Sequence, residues 1–246
     1  MIVLAHTSDL HLDGGEHSTN RAARVMSYLN GLPDAIDAVL VTGDIADHGH
    51  AAEYERANEV LSSPLPVFTG PGNHDTRAAY RDVLLGQPPT DSPVNVVHRA
   101  AGALFAFCDS TVPGRSDGYL ADETIDWLDR VLADNPEGVP VFVCLHHPPV
   151  TLHSPYLDAM RQHGEQRLAD LIERNPQVAA VLCGHAHTAA ATTFAGRPLL
   201  VAPGVSSTLK LPWEPGETFD YEHPPAVAFH VLDEQLRVTT HYRVVP

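Results

Sequence analysis

Apolar positions alternate along the chain between two patterns. Six short, nearly uninterrupted apolar runs read as strands buried on both faces: Ile2–Thr7, Ala38–Val41, Pro66–Thr69, Leu104–Cys108, Val139–Leu145 and Val178–Cys183. Between them apolar residues recur at helical spacing. In Thr19–Leu29 the side chains of Ala22, Val25, Met26 and Leu29 share one face, as do Ile125, Leu128, Val131 and Leu132 in Asp122–Leu132. Ala51–Leu61, Arg77–Leu84 and Glu165–Glu173 are shorter helical candidates. The helical period then stops, and Ala191–Ala202 and Ala226–Val245 read as strands joined by turns. Alternating β and α units followed by hairpins predict a layered α/β sandwich with a mixed sheet.

No internal repeat or long low-complexity linker divides the chain. Gly86–Pro93 and Leu211–Pro225 are rich in Pro and Gly and read as surface loops rather than domain boundaries. The expectation is one domain over residues 1–246, with a motif-bearing part at 1–190 and a β-rich part with a flap at 191–246. The segment 211–225 is long for a structureless loop, which makes it a candidate functional flap.

Five polar motifs each follow an apolar run directly. Ser8-Asp9-Leu10-His11 follows the first, Gly43-Asp44-Ile45-Ala46-Asp47 the second and Gly72-Asn73-His74-Asp75 the third. His146-His147-Pro148-Pro149 and Gly184-His185-Ala186-His187 follow the last two. Loops leaving the carboxyl ends of strands are where open α/β sheets bind ligands. Residues at i and i+2, such as Asp9 and His11 or His185 and His187, can point into one site on extended backbone. Glycines at 43, 72 and 184 permit tight turns and close backbone approach. Asp, His and Asn together make a mixed O and N donor set, which suits Mn, Fe, Zn or Co better than Ca or Mg. A carboxylate such as Asp44 can bridge two metals ~3.5–4 Å apart. Any one motif alone reads as a cap, a turn or a surface histidine; five in this order do not.

Charge narrows the partners. Thirty-one acidic residues face fifteen basic ones, for a net charge of −16, which argues against long nucleic acid, since that needs a basic footprint. A small phosphorylated substrate is compatible, because bound metals reverse the local sign. Lys210 is the only lysine. No run approaches the ~20 apolar residues of a membrane span. Cys108, Cys144 and Cys183 form no CxxC pair and each ends an apolar run, so they read as small core residues. With an N-terminus, MIVLAHTSD, that lacks a basic leader region, they point to a reducing, cytoplasmic setting.

The order DxH, GDxxD, GNHD, HH, GHxH from Asp9 to His187 resembles the calcineurin-like metallophosphoesterases. Within them, HHPP, GHAH and the run Asp109-Ser110-Thr111-Val112-Pro113-Gly114 look like the bacterial class III cyclic-nucleotide phosphodiesterases and glycerophosphodiesterases. The resemblance implies a four-layer α-β-β-α sandwich with two mixed β-sheets flanked by helices. It implies two divalent metal ions, or a mixed-valent iron pair, one held by Asp9, His11 and His187 and the other by Asn73, His146 and His185, with Asp44 bridging. It further implies a metal-bridging hydroxide attacking phosphorus in line, His74 stabilising charge or protonating the leaving group, and Asp75 orienting His74. Asn73, His74 and His187 are also expected to meet the phosphate.

Protein phosphatases of the superfamily carry an Arg after GDxxD and another before their GNHE; here those places hold His48 and Pro71. That departure favours a monoanionic diester over a dianionic monoester, which calls for Arg clamps. The expected activity is phosphodiester hydrolysis of a small substrate, a 3′,5′-cyclic nucleotide such as cyclic AMP first, a glycerophosphodiester or other small diester or pyrophosphate second. A metal-binding scaffold is the rival outside enzymes. The oligomeric state is not legible, a homodimer being one alternative. Specificity is assigned to the loops Asp13–Thr19, Val150–Gly164 and Leu211–Pro225, with His17, His153, Tyr156, His163, Trp213 and Tyr221 as candidates to stack on a base or bond a phosphate. His98, His223, His230 and His241 read as structural or surface residues.

Overall fold

All six continuous apolar runs become strands in the computed structural model, which describes residues 1–32 and 36–246. The first part of the chain runs β1 (Ile2–Thr7), α1 (Glu16–Asn30), β2 (Ala38–Thr42), α2 (Ala51–Val60), β3 (Val67–Gly70) and α3 (Arg77–Ala79), which continues as a π-helical turn, Tyr80–Leu84. Then come β4 (Val96–Ala100), β5 (Ala103–Phe107), β6 (Gly118–Tyr119), α4 (Asp122–Ala133), β7 (Val141–Cys144), α5 (Pro155–Asp158), β8 (Gln162–His163), α6 (Gln166–Glu173) and β9 (Val178–Cys183). The remainder is β: β10 (Ala190–Phe194), β11 (Arg197–Val201), β12 (Thr208–Leu209), β13 (Phe219–Asp220), β14 (Ala226–Leu232) and β15 (Val238–Val244).

Two mixed sheets result, ordered β15-β14-β1-β2-β3 and β10-β11-β9-β7-β5-β4. In each, the motif-bearing strands run parallel; β1 and β2 lie inside the first sheet and β7 and β9 inside the second, while β3 forms the first sheet's edge. Antiparallel partners complete the sheets: β14 and β15 beside β1, β4 beside β5, and β10 beside β11. The sequence pattern predicted β10, β11, β14 and β15 as strand-rich tail segments, but not β4. Its sequence, Val-Val-His-Arg-Ala, has no clean alternation, and pairing with β5 decides its conformation.

Three apolar layers hold four layers of secondary structure together. Ala22, Val25, Met26 and Leu29 of α1 pack with Tyr54 and Ala57 of α2 on one face of the first sheet. Leu128 and Leu132 of α4 pack with Leu168 and Ile172 of α6 on the outer face of the second. The layer between the sheets is filled by Leu4, Leu40, Phe105, Phe142, Leu182 and their neighbours, with Phe105 and Phe142 stacked at 5.3 Å. The expected α-β-β-α sandwich is therefore observed. No helix among the described residues is long and apolar enough to cross a membrane.

One polar chain threads this apolar interior. His6 Nδ1 lies 3.0 Å from His230 Nε2, His6 Nε2 lies 2.9 Å from Thr42 Oγ1, and His230 Nδ1 lies 2.9 Å from Thr240 Oγ1. Both imidazoles are buried, and burial holds both below the usual histidine range, so each is a neutral ring that donates through one nitrogen and accepts through the other. His230 is structural, as read from the sequence.

Phe142→Ala, which removes a fully buried ring from the inter-sheet layer, is expected to cost about 3–5 kcal/mol. Urea unfolding with chelator present measures it.

Candidate metal centre

The parallel strands of both sheets deliver their carboxyl ends to one edge, and the five motifs meet there. Backbone hydrogen bonds then stitch the loops to one another. Asp9 N donates to Gly43 O (3.0 Å), His11 N to Asp44 O (2.9 Å), Ser206 N to Asp9 O (3.0 Å) and Gly184 N to His146 O (2.9 Å). The stitching holds an unusual backbone: Asp9, His11, Asp44, His185 and His187 all have positive φ, between 44° and 68°. Asp and His enter this left-handed region more readily than bulky residues, but it still costs free energy and clusters at functional sites. Glycine makes the closest approach possible, since a Cβ on Gly72 would collide with the carboxylate and amide nitrogen of Asp44.

Asp44 sits at the middle. The His74 amide donates to its Oδ1 (2.8 Å), which leaves Oδ2 3.5 Å from His11 Nε2 and 3.3 Å from His146 Nε2. Asp9 Oδ1 lies 3.7 Å from His187 Nε2 and 3.9 Å from His146 Nε2. Asp9, His11 and His187 thus form one group and Asp9, Asp44 and His146 another, while His185 joins His146 and His147. His11 Nε2 and His187 Nε2 face each other at 3.1 Å.

Whether this donor set fits metal ions can be tested on the unpartnered atoms. Asp9 Oδ1 and Oδ2, Asn73 Oδ1, His146 Nε2 and His185 Nε2 are all buried without a hydrogen-bond partner. Buried polar atoms are rarely left so, and these belong to the residues the motifs single out as ligands. The opposite ring nitrogens are tied down. His146 donates through Nδ1 to the Thr42 carbonyl (2.7 Å), His11 through Nδ1 to the Asp47 carboxylate (2.8 Å), and His187 Nδ1 meets Ser207 Oγ (2.8 Å). Partners of that kind fix the tautomer and aim the other nitrogen at a metal. The residues fit two cations.

Electrostatics agree. Burial opposes charge on His146, but Asp44 and Asp9 outweigh it and raise the ring to about 9. His11 is raised in the same way, the bond to Asp47 and the charges of Asp44 and Asp9 overcoming burial. Burial together with the charge of His146 pushes His185 down to about 3. Asp44 is held well below the usual carboxylate range, because its histidine neighbours outweigh its burial.

The structure corrects one expected contact and adds several that were not foreseen. The His74 ring is held by the Asp47 carbonyl, which accepts from Nδ1 at 2.8 Å, and not by Asp75. The Asp75 carboxylate instead accepts from the amides of Gly72 (2.8 Å), Ala46 (3.0 Å) and Ile45 (3.2 Å), locking the third motif onto the second. Burial and the charge of Asp44 still push Asp75 up to about 6, against those three donors. Asp47 stood within GDxxD but had no assigned role; Ser207 carried no local signal. His147, second of the pair, is buried with Nδ1 on Ser110 Oγ (2.8 Å), in the DSTVPG run.

Two cavities open on the centre. The smaller, about 100 Å3, is bordered by Asp44, Asn73, His74, His185 and His187. The larger, about 400 Å3, reaches from His11 and His74 past Asp13 to Tyr156, Phe219 and Tyr221. Of the loop candidates, His17, Tyr156 and Tyr221 line it; Trp213 stays at the flap surface and His163 lies 3.9 Å from Asp117. Phe219 was not foreseen, because its role depends on β13, inside the segment read as a structureless flap, pairing with β12 just ahead of it.

Residues 2–189 match the family model of the calcineurin-like phosphoesterases, and the chain belongs to that family of metal-dependent phosphoester hydrolases. It is 32% identical over 243 residues to the glycerophosphodiester phosphodiesterase GpdQ of Enterobacter lignolyticus, covering 93% of this chain and 86% of that one. It is 35% identical over 225 residues to a probable cyclic nucleotide phosphodiesterase of Rhodococcus erythropolis, covering 87% and 74%. In fold it is similar to a dimetal phosphatase of Danio rerio, with a TM-score of 0.73, 15% identity and coverage of 100% and 96%.

Two outcomes follow from the centre. Protons on His146 and His11 must leave before metal binds, so metal affinity should fall as pH drops below about 9 and binding should release protons. Calorimetric titration with Mn in buffers of different ionisation enthalpy reads both. Asp47→Ala frees the His11 ring and should weaken metal binding about 10- to 100-fold, measured by competition with a chromophoric chelator.

Proposed function

We propose that this protein is a dinuclear metal phosphodiesterase acting on a small diester, a 3′,5′-cyclic nucleotide first and a glycerophosphodiester second. The observation that carries this reading is the lining of the two cavities: neither has an arginine or lysine among the described residues. A dianionic monoester would leave charge unmatched there, whereas the single charge of a diester suits the two cations alone. The two relatives compared above are named for the same two substrate classes.

Asp9, His11, His187 and Asp44 would hold one ion, and Asp44, Asn73, His146 and His185 the other; Mn, Fe, Zn or Co suit the mixed O and N donors. When bound, the pair supplies acidified water as nucleophile and offsets charge developing on the phosphoryl oxygens. The chain's own residues do the rest. Asp47 and Thr42 keep the ligand rings aimed, through His11 and His146. His74, anchored through Nδ1 on a carbonyl, keeps Nε2 free at the cavity. As the imidazolium, its Nε2–H can reach a leaving oxygen as general acid. Its backbone amide, not its ring, secures Asp44, so ring and metal site are separable.

A panel of cyclic AMP, cyclic 2′,3′-AMP, glycerophosphocholine, a nucleotide sugar and a phosphopeptide, assayed with Mn, tests the substrate. A diester should have the highest kcat/KM, and preference for the phosphopeptide would overturn the reading. His74→Ala should retain about two metal equivalents and lose about 10²- to 10⁴-fold in kcat. Unchanged turnover with intact metal content would remove the ring from the mechanism.

A further inference from the structure

The larger cavity has an aromatic wall that begins at the metal centre. Phe219 packs edge-on against the ligand ring of His187 (5.5 Å, 83°). Tyr221 lies nearly parallel to Phe219 (6.3 Å, 29°), His17 follows Tyr221 (6.3 Å), and Tyr156 meets Phe219 edge-on (6.0 Å). Tyr156 and Tyr221 are more than half exposed, at 51% and 55%. The remaining lining is polar and includes the Asp13 and Asp47 carboxylates.

Phe219 and Tyr221 of this wall stand on the flap, and the flap is gripped from inside. Arg21, on α1 and 9% exposed, donates through Nε to Val205 O (2.7 Å), through Nη1 to Tyr221 O (3.1 Å) and through Nη2 to His223 O (2.6 Å). All three of these partners are backbone carbonyls. Its guanidinium therefore fixes the path of the chain that carries the wall.

We propose that this cavity receives the nucleoside of the substrate, with the base stacked on the Phe219–Tyr221 face, and that Arg21 is the positioning residue holding that face against the metal centre. The proposal rests on the phosphodiesterase reading. A volume of about 400 Å3 lies in the range of small-ligand sites. Stacking on aromatic faces is how proteins hold bases without reading them, and donor groups on the base edge can meet the two carboxylates. A compact quaternary ammonium is served better by rings boxed around a point, whereas these follow one another along one wall. A second anionic group would be repelled by Asp13.

The test compares cyclic AMP with the ring-free diester glycerophosphoethanolamine on the Mn-loaded enzyme. Phe219→Ala and Tyr221→Ala should raise KM for cyclic AMP about tenfold and much more than KM for glycerophosphoethanolamine, with Phe219→Trp recovering most of the loss. Arg21→Lys should raise KM for cyclic AMP with metal content unchanged. Equal KM changes for the two substrates, or none, would overturn the proposal. If the wild-type enzyme cleaves no cyclic nucleotide, adenosine as competitive inhibitor of bis(p-nitrophenyl) phosphate hydrolysis reads the same wall. Inhibition weakened about tenfold by Phe219→Ala then supports the subsite. No inhibition by adenosine rejects it and leaves the phosphodiesterase reading standing.

Discussion

Asp44 Oδ2 stands between two imidazole nitrogens, and the rest of the molecule is arranged to keep it there. Around it are gathered carboxylate oxygens, an amide oxygen and ring nitrogens, several of them buried without a hydrogen-bond partner. Such a collection is unfavourable by itself: each atom has lost water and met its own kind. Only cations convert it into an asset. The upward pull of the carboxylates on His11 and His146 is the same demand expressed in protons, so proton and metal compete for one place.

Assembling acceptors that repel one another needs a frame stiffer than a loop. Here the frame is the shared carboxyl edge of two sheets, clamped by the Phe105–Phe142 layer between them. Five residues of the proposed ligand set, Asp9, His11, Asp44, His185 and His187, have left-handed backbone, a strain of about 1 kcal/mol or more each. Backbone hydrogen bonds from loop to loop, and the Asp75 carboxylate bound to three amides, offset that strain. A flexible loop would relax and scatter the donors; these cannot. Rigidity at this edge is a precondition of the chemistry, since a bridging oxygen serves two ions only if both sheets keep their spacing.

The parts of the centre legible in the sequence are those in which one residue sits directly after one apolar run. Asp9, Asp44 and His146 belong here, because a buried strand ends where its apolar run ends. The face of α1 was legible for a similar reason, since local periodicity alone decides it. What escaped is everything held by a partner far along the chain. Arg21 reads as an ordinary helix arginine until Val205, Tyr221 and His223 turn their carbonyls to it. Asp75 looks like a neighbour of His74 by sequence, yet its carboxylate faces amides about thirty residues away, at Ile45 and Ala46. Backbone acceptors carry no side-chain signature, so a sequence pattern cannot announce them. The ribbon of β12 and β13 was hidden because two-residue strands have no period to read.

At first sight a net charge of −16 opposes the capture of any phosphate. The conflict is one of range. Exposed charges are screened beyond ~8 Å at physiological salt, so the acidic surface acts on an approaching anion only near contact. Near contact, the two cations dominate at the metal edge, where Asp47 is already paired with His11, while the Asp13 carboxylate lines the larger cavity. An anion is therefore welcome at the metal edge and opposed where the Asp13 carboxylate lines the cavity. That polarity selects a molecule with its single negative charge at one end and a neutral or cationic body at the other, which is the description of a small diester. Among the described residues no arginine or lysine lines either cavity, and a further cation there would broaden the welcome to dianions and lose the selection.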